Sequence, residues 1–255
     1  MERGNTVTDH TGRFDRQIRF AAWGEWSQAR FSQSSVLLCG CGALGSLIAT
    51  LLVRAGVGAI RLVDDDVVET PNLHRQILFT QSDADRCERK VDAAARVLRR
   101  VGSATRIEPI GERIDAVSID RLCEGVELMI DALDHWPTRF ILNRTSVQRG
   151  IPWIHGAVLG ATGQLAVFRP GKTICLRCLL DPNDEPPPGV AIAGVLPPVV
   201  TTIASLEAME AMKLAGGCED AVLTDLLTID LWRGAWKYIP LPSPDPLCPV
   251  CRSDV

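Results

Sequence analysis

The sequence predicts an α/β fold in which parallel strands with covering helices continue into antiparallel strands of the same sheet. Three observations support this prediction: a glycine-rich turn, "GCGALG", after an apolar run; a second apolar run that closes a βαβ unit; and hairpin-like spacing after Gly156. The first two are typical of a Rossmann-like, nucleotide-binding half. A chain of 255 residues is within the range of one α/β domain, so we expect a single domain over residues 1–255.

Composition and charge restrict the classes of protein and partner. Hydrophobic residues make up 46% of the chain and charged residues 23%, which is ordinary for a globular protein, and the net charge is −4. An acidic chain disfavours non-specific binding to nucleic acid or to an anionic membrane. No apolar run approaches the roughly 20 residues that span a bilayer, and the polar N-terminus does not resemble a signal peptide. We therefore expect a cytoplasmic protein with no nucleic-acid or membrane partner.

Hydrophobic periodicity predicts the elements of the first part of the chain. Residues 14–33 are amphipathic and predict a helix in an N-terminal arm over residues 1–34. A Rossmann-like part follows over residues 35–156. In it we predict strands at 35–39, 59–64, 105–110, 126–133 and 152–156, and helices at 43–54, 83–100, 118–125 and 137–149.

The pattern changes in the remaining part, residues 157–255. The stretch "GAVLGATGQLAVFRP" predicts a β-hairpin, and "VLTDLLTIDLWRGAWKYIPL" predicts two strands around Gly234. Residues 201–214 are expected to be helical. The proline-rich residues 181–198 predict an exposed crossover or lid loop.

The glycine-rich turn indicates a phosphate site. A G-x-G-x-x-G turn between a strand and a helix lets the backbone approach a phosphate at the helix N-terminus. Asp64 ends the next strand, about 20 residues further on, where an acid binds the ribose of a dinucleotide. The same carboxylate would serve the ribose of ATP, and an ordinary turn aspartate has the same appearance. These two features leave NAD, FAD and ATP open.

Polar residues after Asp64 favour a triphosphate. Asn72, Arg75 and Gln76 lie among apolar residues, Lys90 follows on a charged helix, and Asp66 can cap the turn. An arginine and a lysine near the glycine turn supply positive charge, and a triphosphate needs more of it than a dinucleotide does. Taken alone, each of them is compatible with a solvated surface position, and for Lys90 alone the surface position is the favoured interpretation.

Two aspartates follow the predicted strand at residues 126–133. Asp131 and Asp134 fall at the carboxyl end of a parallel strand, where ligands bind in open α/β sheets. A carboxylate there is suited to hold Mg²⁺ against phosphate oxygens. The alternative role is that of an N-cap for the helix that begins near Pro137, and both roles can coexist.

Two Cys-x-x-Cys pairs predict a metal site. "CLRC" contains Cys175 and Cys178, and "CPVC" contains Cys248 and Cys251. Four thiolates fill the coordination sphere of zinc, so such a site would be structural. A redox pair is the competing interpretation, but it predicts one pair near the start of a βαβ unit. The fold must bring the two pairs together, because they are far apart in the sequence.

The order of these motifs resembles that of the ThiF/MoeB/HesA family, the prokaryotic relatives of ubiquitin-activating enzymes. The motifs are "RFDRQI", "GCGALG", "AGVGAIRLVDDDVVETPNLHRQ", "KVDAA", "DALDH", "HGAVLGATGQLAVF", "CLRC", "AGVLPP", "SLEAMEAMKL" and "CPVC". They run from residue 13 to residue 251, and their joint order is more specific than any one of them. The resemblance implies that the chain uses ATP and Mg²⁺ to adenylate the C-terminal glycine carboxylate of a small ubiquitin-like sulfur carrier protein that ends in Gly-Gly.

The resemblance also implies roles for particular residues. Those that would contact the nucleotide are Gly40, Gly42, Ala43, Gly45, Asp64, Asp66, Asn72, Arg75, Gln76, Lys90, Asp134 and His135. Catalysis would depend on Arg16, Arg75, Lys90 and Asp134, with Asp134 also binding Mg²⁺. Arg16 resembles an arginine that reaches into the site of a partner subunit, which implies a homodimer. The cysteines of the two pairs match the structural zinc ligands, and a sulfur donor or sulfurtransferase would act after adenylation.

Two departures from the family pattern affect these expectations. Relatives often carry a cysteine before "AGV" in the crossover loop, and Val190 stands near that position here. We therefore expect transfer to a separate thiol or sulfur donor rather than a covalent step on this chain. His135 replaces a usual asparagine, and for His155 we expect a neutral, packed side chain. Adenylation of a peptide or other carboxylate, a flavin or NAD oxidoreductase, and a non-catalytic subunit are the alternative functions.

Overall fold

The structure, a computed structural model, describes residues 11–101, 104–181, 183 and 193–252. Its α-helices are α1 Thr11–Ile18, α2 Gly24–Phe31, α3 Ala43–Ala55, α4 Gln81–Asp85, α5 Lys90–Val101, α6 Ser118–Leu122, α7 Trp136–Arg149, α8 Leu176–Leu179 and α9 Pro197–Ala215. Its strands are β1 Ser35–Cys39, β2 Ala59–Val63, β3 Arg106–Ile110, β4 Leu128–Asp131, β5 Trp153–Leu159, β6 Thr162–Phe168, β7 Leu226–Asp230 and β8 Ala235–Ile239. Single 3-10 turns occupy Thr70–Asn72 and Glu219–Ala221. Val190 lies outside the described residues.

One sheet contains all eight strands, in the order β3-β2-β1-β4-β5-β6-β7-β8. Pairing is parallel from β3 to β5 and antiparallel from β5 to β8. This confirms the predicted fold class, a Rossmann-like parallel half that continues into antiparallel strands. After β1 the chain adds β2 and β3 on one side of β1, and then crosses over to add β4 on the other side. A crevice therefore opens at the carboxyl ends of β1 and β4.

Two apolar layers enclose the parallel half, and β1 shows why. Its side chains alternate, so that Val36 and Leu38 belong to the core under α3, α5 and α9, whereas Leu37 and Cys39 belong to the core under α6, α7 and α8. All four side chains are completely buried. A strand buried on both faces has an unbroken apolar sequence, which is what "SVLLC" shows.

The N-terminal arm contains two helices rather than the one predicted over residues 14–33. The helix α1 ends at Ile18, and α2 starts at Gly24, whose φ of +65° favours glycine. In α2, Phe31 is completely buried and contacts Trp23 edge-on, with ring centroids 5.7 Å apart. The arm therefore packs on the core through its second helix.

The predicted helix at residues 83–100 is also wrong as a single element. Thr80 and Asp83 form a capping box that starts the short helix α4, and Cys87 then adopts a φ of +46°, which ends it. The backbone N–H of Lys90 donates to the carbonyl of Asp66 at 3.0 Å. This break makes Lys90 the first residue of α5 and holds it beside the end of β2.

The helix predicted at residues 201–214 begins four residues earlier, at Pro197. Pro197 and Pro198 occupy its first positions, where a helix needs no N–H donor, so prolines extend it instead of delaying it. Within the part of the chain that the structure describes, no helix is long and apolar enough to cross a membrane.

Candidate active site

A cavity of about 980 Å³ lies over the carboxyl ends of the parallel strands and extends across the antiparallel strands β5 to β8. Most of the residues predicted to contact a nucleotide line it: Gly40, Gly42, Ala43, Asp64, Asp66, Asn72, Arg75, Gln76, Lys90, Asp134 and His135. Gly45 is the exception among them, because it packs beneath the turn. Arg16, which was predicted to be catalytic, is exposed on α1 and does not line the cavity either.

The glycine turn is shaped by close backbone approaches. Gly40 has a φ of +99°, and a Cβ there would lie 2.6 Å from the carbonyl oxygen of Ala132. A Cβ on Gly45 would lie 2.0 Å from the carbonyl oxygen of Gly40. These glycines let β1 turn directly into α3, whose N-cap is Gly42. The helix N-terminus therefore faces the cavity with unpaired N–H groups, an arrangement that suits a phosphate.

Asp64 organises the same turn. Its Oδ2 accepts the backbone N–H of Cys41 at 2.6 Å, and its Oδ1 accepts that of Asp66 at 2.9 Å. Burial raises the pKa of Asp64, and Lys90 partly opposes this change. Cys41 is completely buried, and burial raises the pKa of its thiol. Cys41 therefore stays protonated and serves as a small residue of the turn rather than as a nucleophile.

Lys90 and Arg75 supply the positive charge of the cavity floor. The Nζ of Lys90 lies 2.6 Å from Oδ2 of Asp66, with the lysine side chain 6% exposed and the aspartate side chain 67% exposed. This burial excludes the solvated surface position that Lys90 alone allowed. Arg75 donates to Oδ1 of Asn72 at 2.8 Å. Because Asp66 is solvated, Lys90 can exchange it for a phosphate oxygen at little cost.

The two aspartates after β4 have different environments. Asp131 is completely buried and accepts hydrogen bonds from Nε of Arg139 at 2.9 Å and from Nδ1 of His155 at 2.7 Å. Burial alone would raise the pKa of Asp131, but Arg139 and His155 outweigh it and hold that pKa below its usual value. Asp131 is thus a buried anion that is already paired with Arg139 and His155, which makes its role structural.

Asp134 has no hydrogen bond or ion pair within the described residues, and its exposed side chain faces the cavity. It is not the helix cap, because the N-cap of α7 is His135. The Nδ1 of His135 lies 3.0 Å from Oγ1 of Thr138, still on the cavity wall. Of the two aspartates, Asp134 has the carboxylate that fits a Mg²⁺ ion shared with substrate phosphates.

Arg139 is the residue that sequence reasoning missed. It is buried, lines the cavity, and lies over the ring of Trp136 at 4.7 Å from its centroid. The sequence did contain a signal for it, because Arg139 lies one helical turn after Trp136 and close to the two aspartates that follow β4. Burial lowers the pKa of His155, so its ring is neutral, as the sequence interpretation expected.

The four paired cysteines meet outside the cavity. Their Sγ–Sγ distances are 3.9 Å for Cys175–Cys178, 3.7 Å for Cys175–Cys248 and 3.4 Å for Cys178–Cys251. A tetrahedral zinc ion with Zn–S bonds of about 2.3 Å places its sulfur ligands about 3.8 Å apart. The four sulfurs therefore have the spacing that zinc requires, and none of these cysteines lines the cavity.

Comparisons with known proteins agree with this geometry. The model of the ThiF family matches residues 14–250. The chain is 35% identical to the sulfur carrier protein ThiS adenylyltransferase of Bacillus subtilis, covering 94% of this chain and 71% of that protein. It is 33% identical to the sulfur carrier protein adenylyltransferase of Thermus thermophilus, covering 95% and 91%.

The fold is similar to that of E. coli MccB. A crystal structure of MccB with ATP has a TM-score of 0.80 at 23% identity, covering 94% of this chain and 74% of MccB. The family match and the relatives of 33–35% identity define the chain as an enzyme of the adenylyltransferase class, related to ubiquitin-activating enzymes. The chain belongs to the ThiF family.

Proposed function

We propose that this enzyme uses ATP to adenylylate the C-terminal glycine carboxylate of a small ubiquitin-like sulfur carrier protein. The observation that supports it best is the continuity of the cavity. It joins the glycine turn, Lys90 and Asp134 to a path across the antiparallel strands as far as Lys237. Such a path suits an extended chain end that must bring its carboxylate to a bound nucleotide. The names of the relatives in B. subtilis and T. thermophilus support the choice of carrier.

The proposed reaction needs positioning and charge neutralisation. A carboxylate oxygen attacks the α-phosphorus, a P–O bond forms, and the bond to the β-phosphate breaks to release pyrophosphate. Arg75 and Lys90 would neutralise charge on the phosphates, while the carboxylate of Asp64 would accept hydrogen bonds from the ribose hydroxyls. Asp134 would hold Mg²⁺, which supplies further charge neutralisation when bound. The substrate carboxylate is itself the nucleophile, so the chain needs none.

The cysteines are consistent with activation followed by transfer to a separate sulfur donor or sulfurtransferase. No cysteine among the described residues lines the cavity, and Cys41 beneath it is buried and protonated. We therefore place the sulfur chemistry on a partner. The four-cysteine site would hold a structural zinc that ties the C-terminal segment to α8.

Arg16 supports a homodimer within this proposal. Its side chain is exposed on α1 and does not line the cavity of its own chain. A cationic residue needed for catalysis but placed outside the cavity would have to act in a second copy. The proposed assembly is therefore a dimer in which each Arg16 completes the partner's site.

An ATP–pyrophosphate exchange assay tests the proposed function. We expect exchange with zinc-loaded protein only when a carrier ending in Gly-Gly is present. The same carrier lacking its last glycine is the control and should give none. Exchange with a short peptide and no carrier would favour a peptide substrate instead. Absence of exchange with every Gly-Gly carrier, from protein that binds ATP, would refute the proposal.

A further inference from the structure

The loop that carries Asp134 is held through the backbone of Leu133, whose N–H and carbonyl groups are both hydrogen-bonded. The backbone N–H of Leu133 donates to Oδ1 of Asp131 at 2.9 Å, and its carbonyl accepts from the Nη2 of Arg139. The same arginine donates through Nε to Asp131. Asp131 and Arg139 thus hold the backbone of the residue immediately before Asp134, whose own side chain has no partner among the described residues.

His155 completes this arrangement from the neighbouring strand. Its Nδ1 donates to Oδ2 of Asp131 at 2.7 Å, and its Nε2 lies 3.3 Å from Nε2 of Gln164. A neutral ring with the proton on Nδ1 satisfies both contacts, since Nε2 then accepts from the amide. His155 is buried and Gln164 lines the cavity. A chain of hydrogen bonds therefore runs from the cavity wall, through His155 and Asp131, to the loop of Asp134.

The burial of these groups makes the arrangement rigid. Arg139, His155 and Asp131 are 4%, 3% and 0% exposed, so water cannot replace a lost partner. An ionised carboxylate in such a place is tolerated only while its hydrogen bonds are made. Asp131 can therefore keep its orientation, and with it the backbone of Leu133, only while both partners remain.

We infer that Arg139 and His155 are positioning residues that act through Asp131 to hold Asp134 in the orientation that binds Mg²⁺ with the nucleotide. The inference rests on the proposed function, in which Asp134 is the magnesium ligand. Neither residue touches the ion in this scheme. Their contribution is to restrict the conformations of the loop over residues 132–135. Residues that hydrogen-bond to metal ligands orient those ligands in the same way at other metal sites.

Matched histidine variants separate positioning from simple packing. In His155→Asn the amide lies near the place of Nδ1 and can still donate to Asp131. In His155→Gln the amide reaches the place of Nε2 and the donor to Asp131 is lost. Arg139→Lys is an independent variant, since it keeps the charge beside Asp131 but replaces the two fixed donor atoms, Nε and Nη2, by a single ammonium nitrogen.

The measurement is calorimetric titration with α,β-methylene-ATP, in Mg²⁺ and in EDTA, alongside thermal melting. For the natural protein and His155→Asn we expect Mg²⁺ to strengthen nucleotide binding to a similar degree. This strengthening, the magnesium gain, is the ratio of the association constant in Mg²⁺ to that in EDTA. For His155→Gln and Arg139→Lys we expect the ratio to fall about tenfold or more, while the association constant in EDTA is unchanged. If His155→Gln does not fold, Arg139→Lys decides alone.

The other outcomes overturn the inference in distinguishable ways. An unchanged magnesium gain in the folded variants would refute the positioning role and leave the proposed function standing. An equal loss in Mg²⁺ and in EDTA would show general damage to the site and would also refute it. No magnesium gain in the natural protein would refute the role of Asp134 itself, and the inference with it.

Discussion

Replacing Glu207 by glutamine should stabilise the protein at neutral and alkaline pH. Glu207 is on α9, completely buried against β5, and neither carboxylate oxygen has a hydrogen-bond partner within the described residues. A Cβ added to Gly156 would lie 2.3 Å from its carboxyl carbon, which shows how closely the strand packs there. Burial raises the pKa of Glu207 well above its usual value, and the charge of Asp131 raises it further.

The sign of the effect follows from the direction of this shift. A pKa raised in the folded state means that the folded protein binds the proton more tightly than the unfolded chain does. That stabilisation is complete below the unfolded pKa, near 4.3, and declines by about 1.4 kcal/mol per pH unit until the folded pKa is reached. Glutamine has almost the same volume and no charge, so the variant lacks this decline.

Urea unfolding followed by circular dichroism between pH 5 and pH 8 tests the prediction. We expect the free energy of unfolding of Glu207→Gln to exceed that of the natural protein by an amount that grows with pH, at up to about 1.4 kcal/mol per unit, until the folded pKa of Glu207 is reached. Other acids titrate alike in both proteins and cancel in the difference. If the two curves run parallel over this range, Glu207 is not held in its neutral form and the reasoning is wrong.

Glu210 provides a matched control on the same helix. It is also buried, but it pairs with Nζ of Lys213 at 2.6 Å and accepts the backbone N–H of Leu223 at 2.9 Å. Glu210→Gln weakens two charge-assisted bonds and should lower the free energy of unfolding at pH 7 by about 1–3 kcal/mol. The two substitutions, identical in chemistry and one helical turn apart, should therefore have opposite signs.

Three further predictions concern the proposed chemistry. Asp134→Ala should reduce ATP–pyrophosphate exchange by about two orders of magnitude or more without lowering the melting temperature, and surviving exchange would contradict the magnesium assignment. Cys248→Ser, or a strong zinc chelator, should release metal measurable with a chromogenic indicator and lower the melting temperature, because zinc binding and folding are coupled; an unchanged melting temperature would count against a structural zinc. Arg16→Ala should abolish exchange, and mixing it with Asp134→Ala should restore part of it, since mixed dimers contain one intact site; no restoration would argue against a site shared between subunits.

Local signals explain how much of the site could be predicted from the sequence. The glycine turn needs specific backbone angles, the strand "SVLLC" needs an unbroken apolar run, and zinc needs paired thiols, so each leaves a short-range pattern. The residues predicted to contact the nucleotide lie in such patterns, and most of them line one cavity. Helix boundaries were less predictable. The start of α5 after Cys87 involves a hydrogen bond from the backbone N–H of Lys90 to the carbonyl of Asp66. Asp66 is distant in the sequence, so it contributes nothing to the local periodicity of residues 83–100.

The sequence by itself determined the class of fold, the nucleotide turn and the family, because these depend on neighbouring residues and on the order of motifs along the chain. Only the tertiary structure decided which of two aspartates, three positions apart, is buried and paired and which has an exposed side chain in the cavity. Asp131 and Asp134 differ because Arg139 and His155 come from other elements and converge on Asp131 alone. The cluster of four cysteines was decided in the same way, since its two cysteine pairs meet across 73 residues of chain. Burial and partnership depend on which elements pack together, and a local pattern does not contain that information.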